Sequence, residues 1–260
     1  MLNSLTKVIA LFNQAGGVGK STTTQNLGYH LSLRRHRVLV VDMDPQASLT
    51  SFMGLEPADL LETIYSALVP VEDEVDKPLP IYKNLHGMDL APANLLLANA
   101  EQELIFAEQR EFRLKDLLSP RLLDYDFILV DCPPSLGILS QISLVASTHV
   151  LVPVQCQYKA LLGTESLLKT VYKVKRRLNT DLAFAGFLPT LYSGSNSLDR
   201  RTLQIIQEQL ASVGPILPTV PRATALAEAT EYGMPLALCP KKNPEILQIF
   251  DRIAQAVESL

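Results

Sequence analysis

The stretch from Asn13 to Thr24 reads NQAGGVGKSTTT and follows directly on the apolar run Val8-Ile9-Ala10-Leu11-Phe12. A strand that ends in a glycine-rich turn and restarts as a helix leaves unpaired backbone N–H groups converging on one point, where the helix dipole adds partial positive charge. A polyphosphate suits that point. Gly16, Gly17 and Gly19 lack the Cβ atoms that would keep the backbone from wrapping phosphate oxygens, Lys20 can reach β and γ phosphates, and the Ser21 hydroxyl can ligate Mg²⁺. With Val18 and Thr22 they make up the expected nucleotide-binding set. Two carboxylates supply further chemistry, each closing an apolar run: Asp131 after Phe127-Ile128-Leu129-Val130, and Asp44 within Asp42-Met43-Asp44-Pro45-Gln46. Asp131 is expected to hold the metal, directly or through a water. A strand-end aspartate alone often just caps a turn, but a pair of them beside this loop favours a site.

Such residues need a sheet to hold them. Apolar, β-rich runs occur near residues 7–12, 37–42, 126–131, 148–154, 182–188 and 215–217, separated mostly by helical stretches, the first from Thr22 to Arg34. The alternation predicts βαβ units: an α/β chain with a mostly parallel twisted sheet, helices on both faces, and ligands at the strand C-terminal ends. Residues 52–90 are the least regular, with Pro57, Pro70, Pro78 and Pro80 around the acidic Glu72, Asp73, Glu74 and Asp76, and read as a short helical excursion plus loop.

At 260 residues, 47% hydrophobic, the chain can bury a sizeable core, and one domain over residues 1–260 is expected. No long uncharged apolar run and no basic segment ahead of an apolar core suggest a membrane span or signal peptide, so a cytoplasmic location is expected. Cys132, Cys156 and Cys239 are far apart and without CxxC spacing, which favours buried thiols over a disulfide framework or zinc site.

The glycines are offset from the common GxxxxGK[ST] pattern, since Gln14 stands where the first glycine would be. The GGVGKS loop is followed by VLVVDMDPQASLT (Val38 to Thr50), DFILVDCPPSLG (Asp126 to Gly137), HVLVPVQCQYKALLG (His149 to Gly163) and VPRATALAEATEYGMP (Val220 to Pro235). In that order these segments resemble the deviant Walker A ATPases of the ParA/MinD family, Soj-like branch, over nearly the whole chain. The resemblance implies the three-layer P-loop NTPase fold, ATP and Mg²⁺ as ligands, and a homodimer formed with ATP. It implies Lys20 and Asp44 as catalytic residues, Asp44 orienting the attacking water and joining Ser21 and Asp131 at the metal. Asp42 would contact a magnesium-bound water, Pro133 to Gly137 would form a switch segment, and Pro221 with Arg222 would bracket adenine.

The chief departure is Ala15, where most of that family has a lysine reaching across the dimer to the partner's phosphates. An ammonium about 4 Å from a phosphate charge gains roughly 4 kcal/mol of gross attraction at an effective dielectric near 20. Lys159, within Gln155-Cys156-Gln157-Tyr158-Lys159-Ala160, is the expected replacement and the third catalytic candidate, with an exposed surface lysine as the competing reading. Carboxysome-positioning ATPases of the McdA type are ParA relatives that lack the same lysine, which makes them a candidate subgroup.

ParA-like dimers hold nonspecific DNA through basic residues, and the resemblance implies that partner and a nucleoid association, along with a ParB-like or McdB-like adaptor. The net charge of −4 does not advertise DNA binding, so a local patch is needed. Lys169, Lys173, Arg176 and Arg177 fall on one side of a helix whose Leu167, Leu168, Val171, Val174 and Leu178 would face the core; a merely solvated face explains them equally. Arg200, Arg201, Arg222, Lys241 and Lys242 are further candidates. Ala225 stands where many relatives have an arginine, and another expected near Ser195 is absent. The strand before the loop begins by Lys7, so neither a DNA-reading extension ahead of it nor direct operator repression is expected. A MinD-like membrane cycle would require a basic amphipathic C-terminal helix, whereas residues 245–260 hold Glu245, Asp251 and Glu258 against Arg252, with Ile246, Ile249, Phe250, Ile253 and Val257 set to dock on the sheet. No membrane partner is expected. A P-loop enzyme that activates a carboxylate with ATP is the alternative from another class.

Overall fold

The computed structural model describes residues 6–69 and 77–260, with the backbone alone for Tyr158 to Leu162. The strands are β1 (Lys7–Leu11), β2 (Val38–Asp42), β3 (Tyr82–Leu85), β4 (Met88–Ala91), β5 (Phe127–Asp131), β6 (His149–Gln155) and β7 (Ala183–Thr190). The α-helices are α1 (Lys20–Leu33), α2 (Ser48–Phe52), α3 (Ile64–Leu68), α4 (Leu97–Glu103), α5 (Arg113–Leu118), α6 (Ile138–Ala146), α7 (Tyr158–Arg177), α8 (Ser197–Leu210), α9 (Thr224–Glu231) and α10 (Pro244–Glu258).

The sheet runs in the order β3-β4-β2-β5-β1-β6-β7, parallel except for β3. Side chains alternate across a strand, so each central strand feeds two cores. Val8 and Ala10 of β1, Leu39 and Val41 of β2, and Ile128 and Val130 of β5 join one core, with buried residues from α3 to α8. Ile9 and Leu11, Val38 and Val40, and Phe127 and Leu129 join the other, with residues from α1, α2, α9 and α10. Strands buried on both faces explain the near-continuous apolar runs in the sequence.

Two expectations need correction. Residues 82–91 are not loop but a hairpin, β3 and β4, turning through His86 and Gly87 at φ 54° and 82°, a turn geometry that suits the right-handed twist of the paired strands. Each strand is four residues long, too short for periodicity to reveal. The run at 215–217 is no strand of the sheet either. It makes an isolated bridge, Phe187 to Ile216, because Pro215 and Pro218 donate no N–H to a ladder. The acidic residues 72–76 lie outside the described residues.

Helix α10 docks as the composition suggested: Ile246, Phe250, Ile253 and Val257 are buried, and Arg34 at the end of α1 grips Glu258 through Nε and Nη2 at 2.8 and 2.7 Å. Where α2 meets α9 the backbones touch: a Cβ on Gly233 (φ 63°) would lie 2.8 Å from the Gly54 Cα. Beside α10, the buried His30 ring of α1 stacks on Phe250 with centroids 6.0 Å apart, and its Nε2 has no partner among the described residues.

Burial pushes the His30 pKa below its ordinary value. The unfolded chain therefore takes up the proton first, so the stability from a neutral His30 is complete above about pH 6.5 and erodes as pH falls through that value toward the lower folded pKa. Urea midpoints of the wild type should drop more steeply between pH 7.5 and about 5.5 than those of His30→Leu. Equal slopes for the two proteins would show that His30 carries none of the effect.

Candidate functional site

The glycine loop leaves the C-terminal end of β1, between its neighbours β5 and β6. Asn13 pins its start, donating Nδ2 to the Pro153 carbonyl at 2.6 Å and accepting the Ala15 N–H on Oδ1 at 2.9 Å. Thr190, ending β7, donates its hydroxyl to the Val18 carbonyl at 2.8 Å from behind, and Val18 itself is buried. Gly17 and Gly19 stand at φ 70° and 87°, the left-handed region that disfavours any residue with a Cβ, and both face open space. Helix α1 starts at Lys20 with no side-chain cap, so its first N–H groups point uncompensated toward the loop. Lys20 is buried and turns back on the loop: Nζ donates to the carbonyls of Asn13 and Ala15 at 3.2 Å each. Burial lowers its pKa, while Asp131 and Asp44 oppose the shift.

Strand register sets Asp42 of β2 directly beside Asp131 of β5, and both carboxylates are fully buried. Asp42 is spent on architecture: Oδ1 accepts the Asp44 N–H at 3.1 Å, and Oδ2 accepts the Thr50 N–H and hydroxyl at 2.9 and 2.8 Å. The Thr50 oxygen in turn accepts the Ala93 N–H at 3.0 Å, tying the loop after β2 to the segment after β4. Asp131 is different. Thr24 reaches its Oδ1 at 3.4 Å and the nearby Ser21 side chain favours the charged carboxylate, yet Oδ2 has no partner among the described residues. Burial pushes both acids well above the usual carboxylate range, and for Asp131 the neighbouring Asp42 charge adds to it. An orphaned oxygen in a buried acid pair, next to a serine hydroxyl, is the chemistry of a hard divalent cation site. Asp44 keeps an opening to the cleft, with burial raising its pKa against the Gln46 N–H and Lys20.

A cavity of about 380 Å³ unites Gly16, Gly17, Gly19, Lys20, Ser21, Thr22, Asp44 and Pro221. Asp131 lies buried beneath it. Phe52, Thr190, Leu191, Leu226 and Phe250 also line it, none of which the sequence pattern singled out; Leu191, at φ 53° just past β7, is the residue whose backbone strain marks it. Pro134 of the predicted switch segment borders the cavity, Ser140 donates to the Ser135 carbonyl at 2.8 Å, and the Glu101 carboxylate covers Gly137. Cys132 and Cys156 are buried, with their thiols pushed up to about 12 by desolvation, and Cys239 is buried too.

Away from the cleft, α7 packs Leu167, Val171 and Val174 inward and leaves Lys173, Arg176 and Arg177 exposed, while Lys169 pairs with Glu165 at 2.7 Å. Arg200, Arg201, Arg222, Lys241 and Lys242 are exposed, Arg200 donating to the Gly194 carbonyl at 2.7 Å. Lys159 falls in the first turn of α7, and its side chain is outside the described residues.

A glycine loop between an interior strand of a mostly parallel sheet and a helix, facing carboxylates at the strand ends, defines a P-loop NTPase fold. The comparisons narrow this class. A family profile described as an AAA domain matches residues 6–184. The sporulation initiation inhibitor protein Soj of Bacillus subtilis is 42% identical over 235 residues, 89% of this chain and 90% of that protein. Among solved structures, cobyrinic acid a,c-diamide synthase from Mycobacterium smegmatis with bound ADP and magnesium is 35% identical at TM-score 0.79, covering 88% of this chain and 93% of the other. A Cyanothece McdA complex with ATP shares the fold at TM-score 0.84 and 24% identity, covering 98% of both chains. The chain belongs to the ParA/MinD family of ATPases, close to its Soj/ParA members.

The Asp42–Thr50–Ala93 junction carries its own test. Thr50→Val removes one donor from a buried carboxylate and orphans the Ala93 N–H, which should cost about 2 kcal/mol of unfolding free energy by urea titration. A loss within experimental error of zero would mean that the junction does not hold the Asp44 loop.

Proposed function

We propose that the protein is an ATP-dependent dimerising switch of the ParA type, which binds DNA without sequence preference and positions or partitions a cargo. One observation carries the reading: the buried, unpartnered Asp131 oxygen beside Ser21, at the foot of an open glycine loop. Ser21 and Asp131 would hold Mg²⁺, with Asp44 near it, and the ion would neutralise phosphate oxygens. Gly16, Gly17, Val18, Gly19 and Thr22 would cradle the triphosphate with main-chain N–H groups. Lys20 would leave its two carbonyls for the phosphates, Asp44 would orient the attacking water, and Pro221 with Arg222 would border the base. Lys159 would reach the partner's site in place of the lysine missing at Ala15.

The dimer would gather on the nucleoid in the cytoplasm through Lys173, Arg176 and Arg177, with Lys169, Arg200, Arg201, Arg222, Lys241 and Lys242 contributing. A ParB-like or McdB-like adaptor on a plasmid, chromosome locus or protein microcompartment such as a carboxysome would stimulate slow hydrolysis and so release it. Different affinities of the two nucleotide states are what let such a cycle do work. A MinD-like membrane cycle is disfavoured, because the apolar face of α10 is consumed by the core.

A second reading has one observation in its favour, the 35% identity shared with cobyrinic acid a,c-diamide synthase. An ATP-consuming enzyme of that kind needs space for an acid beyond the γ phosphate, and a cavity of about 380 Å³ is on the scale of one small ligand. Rapid turnover with an added small acid would favour it over the switch.

Light scattering on purified protein should give a dimer with Mg-ATP and a monomer without. Lys20→Ala should abolish the shift, Asp44→Ala should retain the dimer but lower turnover about 100-fold, and Lys159→Ala should weaken both dimer and turnover. A species unchanged by Mg-ATP would overturn the reading. Binding to unrelated duplexes should require ATP and vanish by about 0.5 M salt; no binding at low salt would remove the DNA role.

A further inference from the structure

Besides the Lys20 contacts, three side-chain bonds among the described residues tie the glycine loop to other elements. Two run to strand ends, Asn13 to the Pro153 carbonyl in β6 and Thr190 of β7 to the Val18 carbonyl. The third runs to a helix: Gln14 donates Nε2 to the Gly163 carbonyl of α7 at 3.0 Å. A Cβ on residue 163 would lie 2.9 Å from that nitrogen and push the amide off this position. Gln14 does not line the cleft, so this bond stands apart from the ligand contacts.

Lys20 acts on the same residue from the other side. Its Nζ holds the carbonyls of Asn13 and Ala15, which are the two that flank Gln14. A phosphate in the cleft competes for that ammonium, because it adds a charge–charge attraction that a neutral carbonyl lacks. The flanking carbonyls are then released. Residue 14 becomes the point where the loop backbone is freed, and its side chain ends on α7. That helix is a rod carrying the shift about 20 Å from Gly163 to Arg177, past the exposed Lys173 and Arg176.

We propose that Gln14 is a positioning residue that couples occupancy of the nucleotide cleft to α7, through the two Lys20-held carbonyls and the Gln14–Gly163 bond, so that the basic face of α7 answers to the nucleotide. This rests on the switch reading above. The coupling has a discrete two-state element, the Lys20 ammonium on the loop carbonyls or on phosphate, which both sites bias.

Three full-length variants test it: Gln14→Ala; Gln14→Glu, of the same size but unable to donate; and Gly163→Ala, which favours the helix while crowding the amide away. Fluorescent ATP-analogue binding, hydrogen exchange of residues 163–177 with and without Mg-ATP, and anisotropy with a duplex are measured on each. ATP-analogue affinity should stay within about twofold of wild type, while the ATP-dependent protection of α7 and the ATP-dependent gain in duplex affinity both fall about tenfold. Variants whose α7 responds to ATP as the wild type does would overturn the coupling. So would a wild type that binds ATP with no change in α7, and either result leaves the switch reading standing. A wild type that binds no ATP at all would sink the switch reading and the coupling with it.

Discussion

Two carboxylates side by side, both shut away from water, set the terms for this molecule. Asp42 and Asp131 end adjacent parallel strands in register, and desolvation resists the charge on each. The sequence resolves the conflict by giving the pair different surroundings. Asp42 receives two N–H groups and a hydroxyl, enough to serve as a structural anchor. Asp131 is left one oxygen short, with Ser21, Thr24 and the Lys20 charge nearby. The geometry of the glycine loop, the loop after β2 and the start of α1 all converge on that shortage.

Much of this was legible in the residues. The central strands were readable because burial on both faces makes them continuously apolar, and the loop was readable because Gly17 and Gly19 occupy backbone conformations that few other residues adopt. Asp131 could be picked out because it ends such a strand, and Asp44 because it follows the end of one by two residues. The hairpin of β3 and β4 was not legible: the sequence YKNL-HG-MDLA presents four-residue strands, one of them at the sheet edge and half exposed, so no face repeats often enough to show a period. The His-Gly turn was the available signal.

Partnerships made in three dimensions were hidden for another reason. Nothing about Thr50 suggests that its oxygen joins three segments, and nothing about Gln14 suggests a helix far along the chain as its acceptor. Phe52 and Phe250 reach the cleft from elements whose patterns announce only a core face. For the basic residues the sequence separated the exposed face of α7 correctly from its buried one, but exposure is the ordinary state of arginine and lysine, so burial patterns alone say nothing of what they touch.

The flanks of the sheet bear on how copies of this chain can gather. Beyond β7 runs a segment with Pro215, Pro218 and Pro221, bonded to it through Phe187, Leu217, Val220 and Tyr192, which offers no continuous row of donors on its outer side. At the opposite flank β3 is short and irregularly paired, and its Lys83 is salt-bridged to Asp89. Both borders are thus closed to strand-by-strand stacking. Molecules with such borders can be held at high local density without seeding fibrils.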